Sequence, residues 1–319
     1  MARFFLCLLL ASVIPLHADV ISWPVNSYVG ENTPDGIRVL AAFELDDEAE
    51  DSTPISGLSA LAWDVDNQLL YAVSDRGWLH HLQLRFDSRN RLAEINRLAS
   101  YQLRDLKGKP LKGKWRDAES AFVLQGDNGI RDDTLIVIGF ERSPRIVRYR
   151  PDGFQQGRYS LPKQLSKKKK FHKPNDMFEA VAMHEELGVM LIPQKPLMGR
   201  EINALYRLKG EKQWDYEMES ERGNSMAALE ALPDGSLVAM ERAWDRVFFS
   251  LVINLKQIRV DSDRLVVEKI ARLSNAEGWI LDNFEGLARH QDKRFFIVSD
   301  DNQNPLQRTL LYYIELKTR

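Results

Sequence analysis

Cysteine is all but absent from this chain of 319 residues, Cys7 being the only one. A lone thiol excludes a disulfide framework, a cysteine-based zinc site and covalent haem attachment. Neither sign of charge dominates: 44 Lys and Arg stand against 46 Asp and Glu, a net charge of -2, so nucleic acid is not an expected partner. Glycine and proline number 18 and 13, too few for a fibrous or low-complexity chain. Two hydrolase signatures, G-x-S-x-G and H-E-x-x-H, are also missing, which removes the commonest serine and zinc mechanisms. What remains is a folded protein with 44% hydrophobic and 28% charged residues, able to bury a large core.

The one long apolar run, Phe4 to Ile14, falls well short of the roughly 20 residues a membrane span needs. It follows a basic start (Met-Ala-Arg) and precedes Pro15-Leu16-His17-Ala18, the layout of a secretory signal with a small residue at the cut. Residues 1–18 are therefore read as a signal peptide and 19–319 as a single domain, periplasmic or secreted and without a membrane span after cleavage. Cys7 lies inside the signal, so the mature chain would hold itself together in an oxidising compartment with no disulfide.

Five segments share a plan of apolar run, polar turn and second apolar run ending in charge. Two landmarks recur in them. The first, just before the leading apolar run, is Ser59, Glu119, Glu179, Ala227 and Glu285; the second, at the end of the next run, is Asp75, Glu141, Gln194, Glu241 and Asp300. Successive first landmarks are 60, 60, 48 and 58 residues apart, so the segments keep register along the chain. The runs are short, rich in β-branched and aromatic residues, and separated by turns such as Pro233-Asp-Gly235, the signature of strands. An all-β fold follows: a β-propeller of four-stranded blades, with five repeats counted and a sixth, degenerate blade left open. The last unit stops after its third strand, and Ile37 to Leu45 is the expected fourth, an N-terminal strand closing the last blade. Leu161 to Asp176, with its run Lys167 to Lys170, reads as a long solvated loop.

Blade geometry brings the landmarks together. The first strand of a blade is innermost and the second runs antiparallel to it, so the start of one and the end of the other share a face. Glu119, Glu179, Glu285, Asp75, Glu141, Glu241, Asp300 and Asp301 are expected to converge there around the channel, with Arg76, Arg142, Arg242, Lys195, Arg116 and Arg145 nearby. So many carboxylates must be offset, either by a hard cation such as calcium, which takes six to eight oxygens, or by arginine forks between blades. Asp300-Asp301-Asn302 packs three oxygen side chains into one turn, suiting either a metal contact or an Asx turn. The histidines show no metal-ligand spacing; Ser74 and Ser299 read as strand-packing residues, and most of the tryptophans as buried packing.

At these residues the chain resembles the phytase-like family, described as "esterase-like activity of phytase". The matching stretches are Gly57-Leu-Ser-Ala-Leu-Ala with Tyr71-Ala-Val-Ser-Asp-Arg-Gly77, Arg116-Asp-Ala-Glu-Ser120 with Phe140-Glu-Arg-Ser-Pro-Arg145, Phe178-Glu-Ala180, and Asn283-Phe-Glu-Gly-Leu-Ala288 with Val298-Ser-Asp-Asp-Asn302 and Gln307-Arg-Thr309. The resemblance implies phosphoester or ester hydrolysis on a propeller, with calcium holding an anionic substrate. On that expectation Glu119, Glu179 and Glu285 are the catalytic candidates and, with Asp300 and Asp301, the metal ligands. Arg76, Arg142 and Arg242 would bind substrate oxygens. Ala227 and Gln194 depart from the pattern and argue against a symmetric metal ring. The competing expectation is a non-catalytic binding propeller whose partner is an envelope protein; in either case the chain is expected to be a monomer.

Overall fold

The computed structural model describes residues 19–29, 36–46, 54–173, 176–210 and 212–317; residues 1–18, expected to be a signal peptide, lie outside them. Among these residues, strands are antiparallel and form five sheets, each with a four-stranded core. The first blade runs from its inner strand Leu58–Asp64 through Leu69–Ser74 and Trp78–Phe86 to Leu92–Gln102. The second holds Ala118–Leu124, Leu135–Phe140, Arg145–Tyr149 and Gln155–Arg158, and the third Ala180–His184, Gly188–Ile192, Asn203–Arg207 and Gln213–Tyr216. Asn224–Ala231, Leu237–Asp245, Ser250–Asp261 and Arg264–Ser274 make the fourth. The fifth takes Asn283–Gln291, Arg294–Asp300 and Leu310–Leu316, completed by Ile37–Leu45 from the other end of the chain. The molecule is thus a five-bladed β-propeller, and no sixth blade stands among the described residues. The few helices among the described residues are of three or four residues, and none of them is long and apolar enough to cross a membrane.

Each apolar core lies between two blades. Five clusters fill the five interfaces, for example Trp63, Leu70 and Leu82 against Phe296, Val298 and Tyr313 between the first blade and the last. Inner strands are enclosed on both faces, so they read as unbroken buried runs instead of alternating ones; Leu58–Asp64 is buried throughout. Near the axis five strands crowd together, which selects small residues: Ala60, Ala62, Ala180, Ala182 and Ala228 are all buried. A Cβ on Gly286 would stand 2.6 Å from Val298 Cγ1, so even alanine is too large there.

The ring is fastened twice. Ile37–Leu45 pairs with Leu310–Leu316, the expected closure. A second clasp was not legible in the sequence: Asp19–Val20 pairs with Asn96 and Arg97 of the first blade, and Ser22–Pro24 with Phe43 to Leu45 of the last. Between them Ile21 is fully buried, and a buried aliphatic side chain of that size contributes about 1.5–3 kcal/mol.

Two expectations need correction. The stretch from Leu161 to Asp176 is not simply a solvated loop: Leu165 and Phe171 are buried in the core between the second and third blades, while the run Lys167 to Lys170 faces solvent. The first landmarks are likewise not ahead of their strands. In four of the five blades the pairing with the second strand slips by one residue at that position, between Leu58 and Ala60, Ala118 and Ser120, Met226 and Ala228, and Phe284 and Gly286. Ser59, Glu119, Ala227 and Glu285 are therefore the extra residues of β-bulges, which bend a strand and re-aim a side chain. Glu179 directly precedes the third inner strand.

Candidate functional site

The bulges turn their side chains to the axis. Ser59, Glu119, Glu179 and Glu285 line one narrow void with Ala228 and Leu229, so all five inner strands contribute. Its volume is about 10 Å³, room for a single water. The three glutamates expected to meet do meet, in a plugged channel. The end of the second strand supplies the surrounding collar of Asp75, Glu141, Asp300 and Asp301.

Crowding governs the electrostatics of this mouth. Glu179 is buried and Glu119 partly so, and burial together with repulsion from neighbouring carboxylates holds both well above the ordinary carboxylate range. Glu141 is pushed up to about 8, chiefly by burial, although it accepts a hydrogen bond from the Met177 amide at 3.3 Å. Glu141 stands close enough to Glu179 to raise it by repulsion, and the Gln194 side-chain amide donates to Glu179 Oε1. Asp300 is also raised to about 8, by burial and then by Glu285. Asp75 is raised to about 6 by burial and by Asp117, with Arg76 opposing; its Oδ1 is buried without a hydrogen-bond partner.

Asp117 was not among the expected ligands, and it completes the tightest cluster. One carboxylate oxygen each from Asp117, Glu119 and Glu141 lie within 4.8 Å of one another. All three belong to the second blade: Asp117 sits two residues before Glu119 across the bulge, and the Glu141 amide donates to the Asp117 carbonyl at 3.0 Å. The Arg-Asp-Ala-Glu-Ser run held the signal, since residues two apart in an extended chain share a face; the return of the second strand brings Glu141 to them. Asp300 and Asp301 serve as turn caps. Asp300 Oδ1 accepts from the Asn302 amide at 2.7 Å, and Asp301 Oδ1 accepts from the amides of Gln303 and Gly57, each at 3.0 Å, tying the fifth blade to the first.

The arginines divide into three kinds. Arg242 is engaged by Glu285, whose Oε1 also accepts from Asn283 Nδ2 at 2.8 Å. Arg142, half exposed, sits with Nε 3.0 Å from Asp117 Oδ2. Arg76 keeps its buried Nε free of any hydrogen-bond partner. Lys195 reaches the Asn224 carbonyl, and Arg145 stacks over Phe140, its guanidinium carbon 3.6 Å from the ring centroid.

Glu241 does not join this site, which corrects its expected place on the rim. Fully buried, it accepts from Tyr216 Oη, Lys256 Nζ, the Glu219 amide and Asn224 Nδ2 at 2.6–3.0 Å. Ser74 and Ser299 bond backbone carbonyls as strand-packing residues. Of the tryptophans, Trp63 and Trp279 are buried while Trp115 and Trp244 are exposed. At the other end of the inner strands lies a wider funnel of about 680 Å³, lined by Trp63, Phe122, Met183, Glu230 and Arg289 among others.

Comparison with known proteins supports the reading of the motifs. The family model "Phytase-like: Esterase-like activity of phytase" matches residues 53–303. No curated protein matches. Solved structures with similarity include XC5397 from Xanthomonas campestris, a gluconolactonase, at 12% identity over 92% of this chain and 98% of that one, with a TM-score of 0.43. A chain of the COPII coat assembled on membranes shares 13% identity over 90% of this chain and 39% of its own, at a TM-score of 0.37. U3-55K shares 12% over 84% and 79%, at a TM-score of 0.38.

Proposed function

The chain belongs to the phytase-like family, and from that premise we propose that it is an exported hydrolase of phosphoesters or esters, assisted by calcium at the acidic mouth of the propeller. The observation that carries the reading is the cluster of Asp117, Glu119 and Glu141. Calcium binds oxygens at about 2.3–2.6 Å, so two of its ligands stand no more than about 5 Å apart; three acid oxygens within 4.8 Å fit that requirement, and an all-oxygen donor set suits a hard cation. Asp117, Glu119 and Glu141 would hold the ion, with Glu179 next to them. Bound there, a divalent cation supplies charge neutralisation and Lewis acidity.

The chain's own residues account for the rest. Glu179 and Glu141, both raised by burial, place beside the cluster carboxyls suited to work as general acid or base. Arg76, with an uncommitted Nε, is suited to orient an anionic oxygen, and Arg142 offers its exposed side at the rim. Arg242 pairs with Glu285 and holds that carboxylate in place. The narrow void admits no more than a water-sized group, so a small anionic substrate would react at the mouth and not inside the channel.

A second reading, a non-catalytic binding propeller, draws on the same tightness: a plugged channel and an arginine already paired leave little room for a substrate. One titration separates the two. Calcium added to chelator-stripped protein should bind in calorimetry, raise the melting temperature, and restore hydrolysis of p-nitrophenyl phosphate or p-nitrophenyl acetate. Asp117→Asn and Glu119→Gln should lose the binding and the turnover together. Calcium binding without turnover on any ester would favour the binding module; no calcium binding would remove the metal from the proposal.

A further inference from the structure

From the face that carries the acidic mouth, we infer that this propeller docks on an anionic lipid bilayer, using an apolar hairpin tip as the peg and a lysine run as the charge contact. The loops joining second and third strands all lie on this face, because the inner strand starts there and the second strand returns there. In the fourth blade that loop is the turn between Leu237–Asp245 and Ser250–Asp261. It exposes Val247, Phe248 and Phe249 at 60%, 76% and 72%, with Trp244 at 43% on its stem. Four large apolar side chains held in water are costly for a monomer, and such a patch marks an interaction surface.

The tip is built, not frayed. Asn275 holds its C-terminal end, accepting from the Leu251 amide at 3.0 Å and donating to the Phe249 carbonyl at 2.9 Å, and Asp245 Oδ1 holds the other, accepting from the Val247 amide at 2.8 Å. Trp244 and Phe249 meet edge to face at 6.3 Å. Phe249 occupies the left-handed region with φ of 49°, where a bulky residue is an outlier and Gly or Asn would be the ordinary choice. Sequence has thus accepted backbone strain to keep a phenyl ring at an exposed position, the kind of outlier that points to use. Trp and Phe are the side chains that settle at a bilayer interface.

The charge partner lies on the same face. Lys167 to Lys170 are all exposed. Lys168 reaches the Arg142 carbonyl in the second-to-third-strand loop of the second blade. The Lys170 carbonyl accepts from Met198, itself 51% exposed in the matching loop of the third blade. A protein of net charge -2 therefore presents a cluster of four cations beside apolar side chains, and a basic run of that size is attracted to anionic headgroups. Basic charge on the same face as an insertable apolar peg argues for a lipid surface over a protein groove, which would match the peg but not the run. The inference stands whether or not the mouth proves catalytic.

The test is flotation of the whole chain, lacking residues 1–18, with vesicles of phosphatidylcholine and phosphatidylglycerol at 7:3 and with phosphatidylcholine alone. Binding is expected to the mixed vesicles and to weaken with salt. Phe248→Ser with Phe249→Asn should weaken it by about tenfold or more, and Asn at 249 relieves strain, so thermal unfolding of this variant should be no earlier than that of the wild type. Replacing the four lysines by Gln should cost about fivefold per lysine that contacts the surface. Quenching by brominated lipid that disappears in Trp244→Phe would place the tip in the membrane. No binding to either vesicle at low salt, binding unchanged in both variants, or a dimer that the tip variant disperses without any vesicle binding would overturn the inference.

Discussion

The second and fourth blades carry the same dipeptide at the end of the second strand, Glu141-Arg142 and Glu241-Arg242, and use it in opposite ways. In the second blade the glutamate faces the acid cluster and the arginine leans outward, half exposed, onto Asp117. In the fourth the glutamate is sealed among Lys256, Tyr216 and Asn224, and the arginine turns in to Glu285. What differs is the surroundings. The fourth blade has Ala227 where the second has Glu119, so its channel side offers nothing acidic, while its third strand offers Lys256. A charged pair therefore reports its neighbours more than its own sequence. One blade seals its glutamate among partners, and the other leaves it facing like charges.

The sharpest way to break this contrast is to remove a partner on each side. Lys256→Met should cost about 3–5 kcal/mol in denaturant unfolding, since it strands a buried carboxylate. Glu141→Gln should leave stability unchanged or raise it in the absence of cation, because it removes repulsion instead of a partner. Equal losses in both variants would show that the two blades are alike after all.

Arg242→Met comes next. The guanidinium is the buried cation facing Glu285, so its loss should cost about 2–3 kcal/mol and cost more at pH 9 than at pH 5, because burial raises its other carboxyl neighbours, Glu179 and Asp300, which gain charge as pH rises. A pH-independent loss would mean that Arg242 contributes packing and not charge.

The smallest effect is the pH dependence itself. Glu141 and Asp300 are raised to about 8 in the folded chain, above their unfolded values, so folding takes up protons. Cation-free stability should accordingly fall as pH rises from the ordinary carboxylate range through about 8. Melting temperatures across that range should slope less in Glu141→Gln, and calcium should flatten the slope in the wild type. A wild-type profile that rises with pH would contradict the unsatisfied collar.

Most of the fold was legible because strand runs and turns are local. The five repeats, the shared face and the closing strand Ile37–Leu45 all follow from pattern and from antiparallel pairing. The convergence of Glu119, Glu179 and Glu285 was legible for the same reason. Less visible were the bulges, which are one-residue slips between two strands and leave no mark on either alone. Asp117 was missed with them, and so was the clasp at residues 19–24, too short for a periodic signal.

Sequence by itself determined which residues lie at equivalent places in each blade, since repetition needs only one chain read against itself. Only tertiary structure decided which of those equivalent acids are paired and which are left facing one another. The reason is physical: the state of a carboxyl depends on distance and enclosure, and in a ring both are set by the neighbouring blade, up to the whole chain away in sequence.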